Sequence, residues 1–274
     1  MKKILSLILV AALSLALLAG CTQKPAETPA ETPAEPEKIV IGVTPEPHAK
    51  LVSLVVDDLA AQGIELEIIE FTDYVKPNLA LADGELDANF FQHKPYLDDF
   101  IAKEGLDLVS IANVHVEPMA LYANEAKSLE EIPEGAEIAI PNDTVNGGRA
   151  LLLLQANGLI KLKEDAGLEA TEKDIVENPK NLKITALEAA TLPRVLAELD
   201  GAVINGNFAL EAGLNPVEDS LIIEGKDSPY ANIVVVRAGE ENEEKFLKLV
   251  EALQSDEIRK YIEENYDGGV VPAF

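Results

Sequence analysis

The sequence predicts an α/β protein of two lobes with a small-ligand cleft between them. Three observations carry that reading. Short apolar, β-branched runs alternate with segments of helical spacing, the order expected of a doubly wound layer. The alternation runs through the chain twice, with the second round starting near residue 125. No Pro/Gly-rich linker separates the rounds, so the lobes are joined by strand-like crossings. A cleft between two such lobes is a usual place for a small ligand.

The first round opens at residues 38–43 (KIVIGV), a β-branched run that Thr44-Pro45 ends. Residues 49–61 follow with Leu51, Leu54, Val55 and Leu59 at helical spacing. ELEIIEF (65–71) is the second strand, and residues 78–82 are a short helix that Gly84 ends. Residues 88–91 form the third strand, and residues 96–103 a helix before Gly105. Residues 108–112 and 114–122 are strand-like.

In the second round, residues 128–132 read as a short helix and EIAIP (137–141) as a strand. A loop over residues 142–148 leads into an apolar helix at 149–157. Residues 182–187 are a strand, 192–199 a helix, and GAVIN (201–205) a strand that stops on a polar residue. After residues 221–224, IVVVR (233–237) is a buried strand. Two helices, about 243–255 and 256–265, precede a docked apolar tail at 270–274.

Composition narrows the function. The chain has 274 residues, 47% apolar, with 22 Lys+Arg against 49 Asp+Glu. The apolar share excludes wholesale disorder, and a formal net charge of −27 excludes a nucleic-acid partner, which needs a basic face. One cysteine excludes an internal disulfide and a multi-Cys metal site. The three histidines, His48, His93 and His115, are far apart in sequence and match no ligand spacing, so neither a metal nor a cofactor is expected.

The N-terminus carries an address. Lys2 and Lys3 precede an apolar run over residues 4–18, roughly 23 Å as a helix and short for a permanent span. Leu18-Ala19-Gly20-Cys21 then reads as a lipobox: cleavage after Gly20 leaves Cys21 as the lipidated N-terminus. Residues 1–20 are the signal peptide. The Pro/Ala/Glu-rich residues 21–37 hold nothing larger than alanine to bury, and form an extended tether of roughly 50 Å. The mature chain, with 20 basic against 49 acidic residues, is repelled by anionic headgroups. Lipid must therefore hold it on the extracytoplasmic face of the cell membrane.

No nucleophile elbow, P-loop or zincin motif is present, and the lone cysteine is committed to lipid. Four segments still place polar or aromatic groups where buried strands end. Tyr74 follows the second strand. Phe91 and His93 share one face of the third by strand alternation, with Phe90 and Gln92 on the other. A Gly147-Gly148 pair and Arg149 open the apolar helix, where backbone N–H groups and a guanidinium fork suit a carboxylate. Asn205 and Asn232 lie beside buried strands and must be hydrogen-bonded to backbone or ligand. A packed tyrosine, core phenylalanines, a capped helix and locally bonded asparagines are the plain structural alternatives. Taken together, the groups describe a free α-amino acid with a nonpolar tail. Arg149 takes the carboxylate, the two Asn oxygens take the ammonium, and Tyr74, Phe91 and His93 wall the side chain. A thioether gains most from that wall.

At this point the chain resembles a known family. FTDYVKPNLALADGELDANFFQHKPYLDDF (71–100), VHVEPMALY (114–122), PNDTVNGGRALLLLQANGLIKLK (141–163), DIVENPKNLKI (174–184) and DSPYANIVVVR (227–237) are similar to the methionine-binding lipoproteins, the MetQ/NlpA type of ABC-importer receptor. The resemblance implies a type II periplasmic-binding-protein fold with lobe 1 at 38–120 and 230–274 and lobe 2 at 121–229. It implies L-methionine as ligand, with D-methionine or Gly-Met as alternatives, and delivery to an ABC permease with its ATPase. The family's ligand contacts fall on Tyr74, Phe91, His93, Arg149, Asn205 and Asn232. Residues 142–146 read Asn-Asp-Thr-Val-Asn where the family often has Asn-Asp-Pro-Thr-Asn. Two other classes stay open: an amino-acid-processing enzyme with His93 as its base, and a surface interaction lipoprotein.

Overall fold

The computed structural model describes residues 36–225 and 228–274. The signal segment, Cys21 and residues 22–35 of the expected tether lie outside the described residues. Among the described residues, no helix is long and apolar enough to cross a membrane.

The first half runs β1 (Glu37–Val43), α1 (Lys50–Leu54), α2 (Val56–Ala61), β2 (Ile64–Glu70), α3 (Lys76–Ala82), β3 (Ala88–His93), α4 (Lys94–Glu104) and β4 (Leu108–Val116). The chain then builds β5 (Ala120–Ala123), β6 (Glu137–Pro141), α5 (Thr144–Ala156), β7 (Lys161–Leu162), β8 (Ile175–Glu177), β9 (Lys183–Leu187), α6 (Leu192–Val195), β10 (Gly201–Ile204), α7 (Gly206–Glu211) and β11 (Ser220–Ile223). It closes with β12 (Ala231–Arg237), α8 (Glu244–Leu253), α9 (Asp256–Asn265) and β13 (Val271–Pro272).

Two sheets share one plan. The six-stranded sheet has the order β13-β4-β12-β3-β1-β2 and the five-stranded sheet β11-β5-β10-β6-β9. Each holds a parallel trio, β2-β1-β3 in one and β9-β6-β10 in the other. Each trio is continued by an antiparallel strand from a distant part of the chain, β12 or β5. The chain leaves the first sheet at Val116, enters the second at Ala120, and returns between Ile223 and Ala231. This is a two-lobed α/β architecture.

Each lobe has its own core. In the first, Ile39, Ile41 and Phe90 of the sheet pack against Leu51 and Leu59 on one side of the chain's start and Phe246, Leu249 and Ile258 of the last helices. In the second, Ile138, Ile140 and Val203 pack against Leu151 and Leu154 of α5. The apolar tail docks as expected: Val271 and Pro272 pair with Val116 and His115.

Several elements differ from expectation, each for a local reason. The helix at 49–61 is two helices, because Val55 (φ −101°, ψ 2°) leaves helical geometry. Residues 128–132 form turns, since one turn of helix ending before Pro133 is too short to sustain itself. The strand at 114–122 is split between the two sheets at Glu117–Met119. The helix expected at 192–199 ends as α6 at Val195 and tightens into a 3₁₀ turn at Leu196–Glu198. The helix α7 and the small β7-β8 ribbon carry too short a pattern to be read from sequence.

The most consequential difference is α5. It starts at Thr144, five residues before Arg149, because the Asp143 side chain accepts from the Asn146 N–H at 2.9 Å and caps it. Gly147 and Gly148 are thus inside the helix. A Cβ on Gly148 would lie 2.1 Å from the Leu168 carbonyl oxygen, and one on Gly147 would lie 2.9 Å from that of Pro141. These glycines serve close packing, and the expected glycine anion cradle before Arg149 is not there. Thr144 takes the first helical position, where the family's more usual proline would also fit.

Candidate ligand site

Strand register assembles one wall. Asn232 on β12 stands opposite His93 on β3 and His115 on β4. All six expected residues, Tyr74, Phe91, His93, Arg149, Asn205 and Asn232, line one pocket. Gln92 lines it too, against the expected alternation. The register between β3 and β12 skips Phe91, so a bulge there turns neighbouring side chains to the same side.

His93 ends β3 and caps α4. Its Nδ1 accepts from the Tyr96 N–H at 3.2 Å, which puts the proton on Nε2, facing Asn146 Oδ1 at 3.1 Å. Burial, and then the Arg149 charge, push the imidazole down to about 3, so it is neutral. Neither nitrogen offers a free lone pair to the pocket, which leaves the residue poorly suited to act as a base.

Arg149 sits in the second turn of α5 and is only 3% exposed. Its Nε and Nη2 donate to Glu224 at 3.0 and 2.5 Å, and Nη2 also donates to the Glu117 carbonyl at 2.8 Å. The guanidinium carbon lies 4.2 Å from the centre of the Tyr230 ring. One edge of the fork is therefore fixed, while Nη1 has no hydrogen-bond partner among the described residues.

The asparagines divide. Asn205 is the residue before α7 but does not cap it. Its Nδ2 donates to Asn146 Oδ1 at 2.9 Å, and its buried Oδ1 has no partner among the described residues. Asn232 is already spent: its Oδ1 faces His48 Nε2 at 3.3 Å and its Nδ2 donates to Glu117 Oε1 at 3.2 Å. Asn232 thus lines the pocket without offering the free oxygen expected of it.

The expectation that the histidines lie apart is wrong for two of them. The chain fold brings His48 and His115 to 5.0 Å between ring centres, and with Glu117 their ligand atoms all lie within 4.8 Å. His115 Nε2 meets Glu117 Oε1 at 2.7 Å, and His48 Nε2, which faces Asn232 Oδ1, lies 3.3 Å from the same carboxylate oxygen. The donors converge on an oxygen atom, the geometry of a hydrogen-bonded carboxylate. Burial lowers His48 to about 4 and His115 to about 3, and raises Glu117.

The aromatic wall is larger than expected. The Tyr74 ring centre lies 4.9 Å from Phe208 and 6.0 Å from Phe91 in tilted pairs, and 5.8 Å from Tyr96 edge to face. Its hydroxyl donates to Asn207 Oδ1 at 2.5 Å, and Tyr96 donates to the Tyr74 carbonyl at 3.0 Å. Tyr74 and His93 come from the first lobe and Asn207 and Asn146 from the second, so these bonds cross the cleft.

Sequence reasoning missed Glu117, Asn146, Asn207, Phe208 and Glu224 as site residues. Glu117 had one visible signal, a lone acid in the apolar run VHVEPMALY. Asn146 sat in a segment singled out but read as loop. Asn207 and Phe208 lie on the unread helix α7, and Glu224 was one acid among 49.

Comparison with known proteins agrees with the architecture. Residues 39–274 match the model of the NlpA lipoprotein family. The chain is 44% identical over 266 residues, 97% of its own length and 96% of the relative's, to a probable D-methionine-binding lipoprotein MetQ of Vibrio cholerae. A putative lipoprotein from Ruminococcus gnavus superposes with a TM-score of 0.85 at 48% identity, over 87% of this chain and 100% of that one. A nutrient binding protein from Burkholderia cenocepacia, solved bound to methionine, gives 0.82 at 46% identity over 86% and 100%. A family match over most of the chain, with relatives of this identity and coverage, shows that the protein belongs to the NlpA lipoprotein family.

Proposed function

We propose that this protein is a lipid-anchored extracytoplasmic receptor that binds methionine between its lobes and delivers it to an ABC importer. The observation that carries the reading is Arg149. It is a buried guanidinium, clamped by Glu224 with Nη1 unspent, on the wall of a pocket whose other side is aromatic. Such an arrangement fits one carboxylate and an apolar tail. The methionine carboxylate meets Arg149, its ammonium meets Asn205, and its thioether lies against Tyr74, Phe91 and Tyr96, where sulfur–aromatic contact is favourable. Asn232 and His93 complete the walls.

The lobes, 38–120 with 230–274 and 121–229, close on the ligand. Contacts that cross the cleft, His93 to Asn146 and Tyr74 to Asn207, form only in the closed state, so closure reports occupancy to the permease. At the rim Lys103 of α4 donates to the Thr144 hydroxyl at 2.7 Å, a third such contact. Cys21 carries the lipid, and residues 21–37 give the body its reach. The relatives support the cargo: one is a probable D-methionine-binding lipoprotein, another was solved bound to methionine.

Thermal unfolding of residues 22–274, refolded from denaturant, tests this with L-methionine, D-methionine, Gly-Met, leucine and glutamine. A ligand at 100 times its Kd adds roughly 2.7 kcal/mol, a shift of several degrees. The expected result is a shift with methionine. A shift with Gly-Met alone changes the cargo to a dipeptide, and no shift with any of them rejects the receptor reading.

A further inference from the structure

Glu117 is prepared by the fold as a one-sided carboxylate. Two N–H donors meet its Oε1, His115 Nε2 at 2.7 Å and Asn232 Nδ2 at 3.2 Å, and His48 Nε2, which faces Asn232 Oδ1, lies 3.3 Å from the same oxygen. Both imidazoles are held as donors at Nε2. The Thr44 hydroxyl lies 2.7 Å from His48 Nδ1 and supplies the proton there. His115 Nδ1 is buried with no partner among the described residues. A proton at that nitrogen would be a buried donor without an acceptor, so the ring keeps its single proton on Nε2.

The carboxylate also accepts from the Asn207 backbone N–H, and Oε2 has no side-chain donor among the described residues. It points toward Gly206, where an added Cβ would lie 3.2 Å from it and 2.8 Å from Glu117 Cβ. Only glycine admits the carboxylate at that spot. Glu117 lines the same pocket as Arg149 and is 5% exposed. Its ion-pair partners among the described residues are the two histidines alone. Arg149, the cation of the pocket, directs its fork at Glu224 and at the Glu117 backbone carbonyl. The Arg149 charge favours the ionised form of Glu117, yet among the described residues no cationic group donates a hydrogen bond to this buried carboxylate, which leaves that place to a ligand.

We propose that Glu117 is the receptor for the ligand's primary ammonium group, and that His115 directly, and His48 through Asn232, are positioning residues that hold its carboxylate ionised and aimed. The inference rests on the amino-acid receptor reading and sharpens it. The ligand class is amino acids whose α-amino group is free and unacylated, with Asn205 Oδ1 as a second acceptor.

The test compares L-methionine with 4-(methylthio)butanoate, which keeps the carboxylate and thioether and lacks the ammonium. Calorimetric titration of the wild-type protein is expected to show methionine binding tighter by about 100-fold. In Glu117→Gln, which still accepts from His115 and Asn232, methionine weakens by about 100-fold while the deamino analogue moves by less than about 3-fold. The ratio between the two ligands collapses. Glu117→Asp keeps the charge and retains part of the ratio, which preserves the test if the Gln variant fails to unfold cooperatively. His115→Gln lowers the ratio partway, whereas a purely structural role for His115 would weaken both ligands alike. A ratio that survives in Glu117→Gln, or one lost in a folded Glu117→Asp, overturns the assignment of Glu117 and leaves the receptor reading standing. A wild-type protein that binds neither ligand overturns the receptor reading, and this inference with it.

Discussion

The pocket contains two buried charges, and the protein treats them differently. Arg149, on α5 of the second lobe, is matched by a full opposite charge in Glu224 and by the face of Tyr230. Glu117, at the junction where the chain leaves the first sheet, accepts hydrogen bonds from neutral donors, His115, Asn232 and the Asn207 backbone, and feels the Arg149 charge without being bonded to it through its carboxylate. Both carry backbone support, since Arg149 itself donates to the Glu117 carbonyl. The contrast teaches how a site for a zwitterion can be stable before it is filled. The guanidinium keeps a permanent partner and lends a spare edge, while the carboxylate is stabilised by dipoles and keeps its strongest interaction for a ligand cation.

Removing the paired charge should therefore have the largest effect. Arg149→Ala strands Glu224, a partly buried carboxylate, and strips the pocket of its cation. Breaking a buried pair typically costs about 3–5 kcal/mol, and the partial exposure of Glu224 puts the expected loss near the lower end. Methionine affinity is expected to fall on the order of 1000-fold, since a carboxylate is then desolvated without a partner. Urea unfolding and calorimetric titration measure the two losses. Arg149→Met combined with Glu224→Leu should recover much of the stability and none of the affinity. If the double variant regained binding, Arg149 would not be the carboxylate's partner.

The neutral cradle makes a different prediction, carried by pH. His48, His93 and His115 all titrate below their ordinary value of 6.5 in the folded protein, to about 4, 3 and 3, chiefly through burial. The unfolded chain regains protons at all three once pH falls below 6.5, and the folded chain does not. Their contribution to stability is thus full above about pH 6.5 and is lost as pH falls toward 4 and 3. Glu117 opposes this, because burial raises it and the folded state takes up its proton earlier. Between pH 7 and pH 5.5 the unfolding free energy should fall by about 3 kcal/mol, from up to three protons bound on unfolding less any taken by Glu117. Denaturant midpoints across that range check it. A flat profile would mean that the histidines are not held neutral and that the cradle around Glu117 is organised otherwise.

These two charges also mark what the sequence could and could not reveal. Arg149 stood out because it opens an apolar helix, yet its neighbours were misjudged: Gly147-Gly148 looked like a loop, and only the carbonyls of Pro141 and Leu168 pressed against the helix explain them. Helix α5 began early because one side chain, Asp143, caps it. Glu117 did not stand out, because its meaning lies in contacts with His48, 69 positions away in the chain, and Asn232, 115 positions away. The strands were legible wherever apolar alternation or β-branched runs were long, as at Glu137–Pro141, whose bounds match. The sheet order, the bulge at Phe91 and the short helix α7 depend on pairing between distant segments, and no local pattern records them. The six residues read from chemistry and family motifs do share one pocket, but the free acceptor belongs to Asn205 and not to Asn232.

The smallest expected effect separates charge recognition from closure. Tyr74 reaches across the cleft, its hydroxyl donating to Asn207 Oδ1, and it touches neither Arg149 nor Glu117 in the hydrogen-bond pattern. Tyr74→Phe keeps the ring against Phe91, Tyr96 and Phe208 and removes only that bond. A neutral hydrogen bond of this kind contributes about 0.5–1.5 kcal/mol, so affinity should fall by roughly 3- to 10-fold. Because the bond favours the closed arrangement and reads no ligand group, the loss should be equal for methionine and for 4-(methylthio)butanoate. Calorimetric titration with both ligands measures it. An unequal loss would place Tyr74 in direct contact with the ligand's ammonium end, and would blur the division of labour between the paired charge, the cradled charge and the contacts that only hold the lobes together.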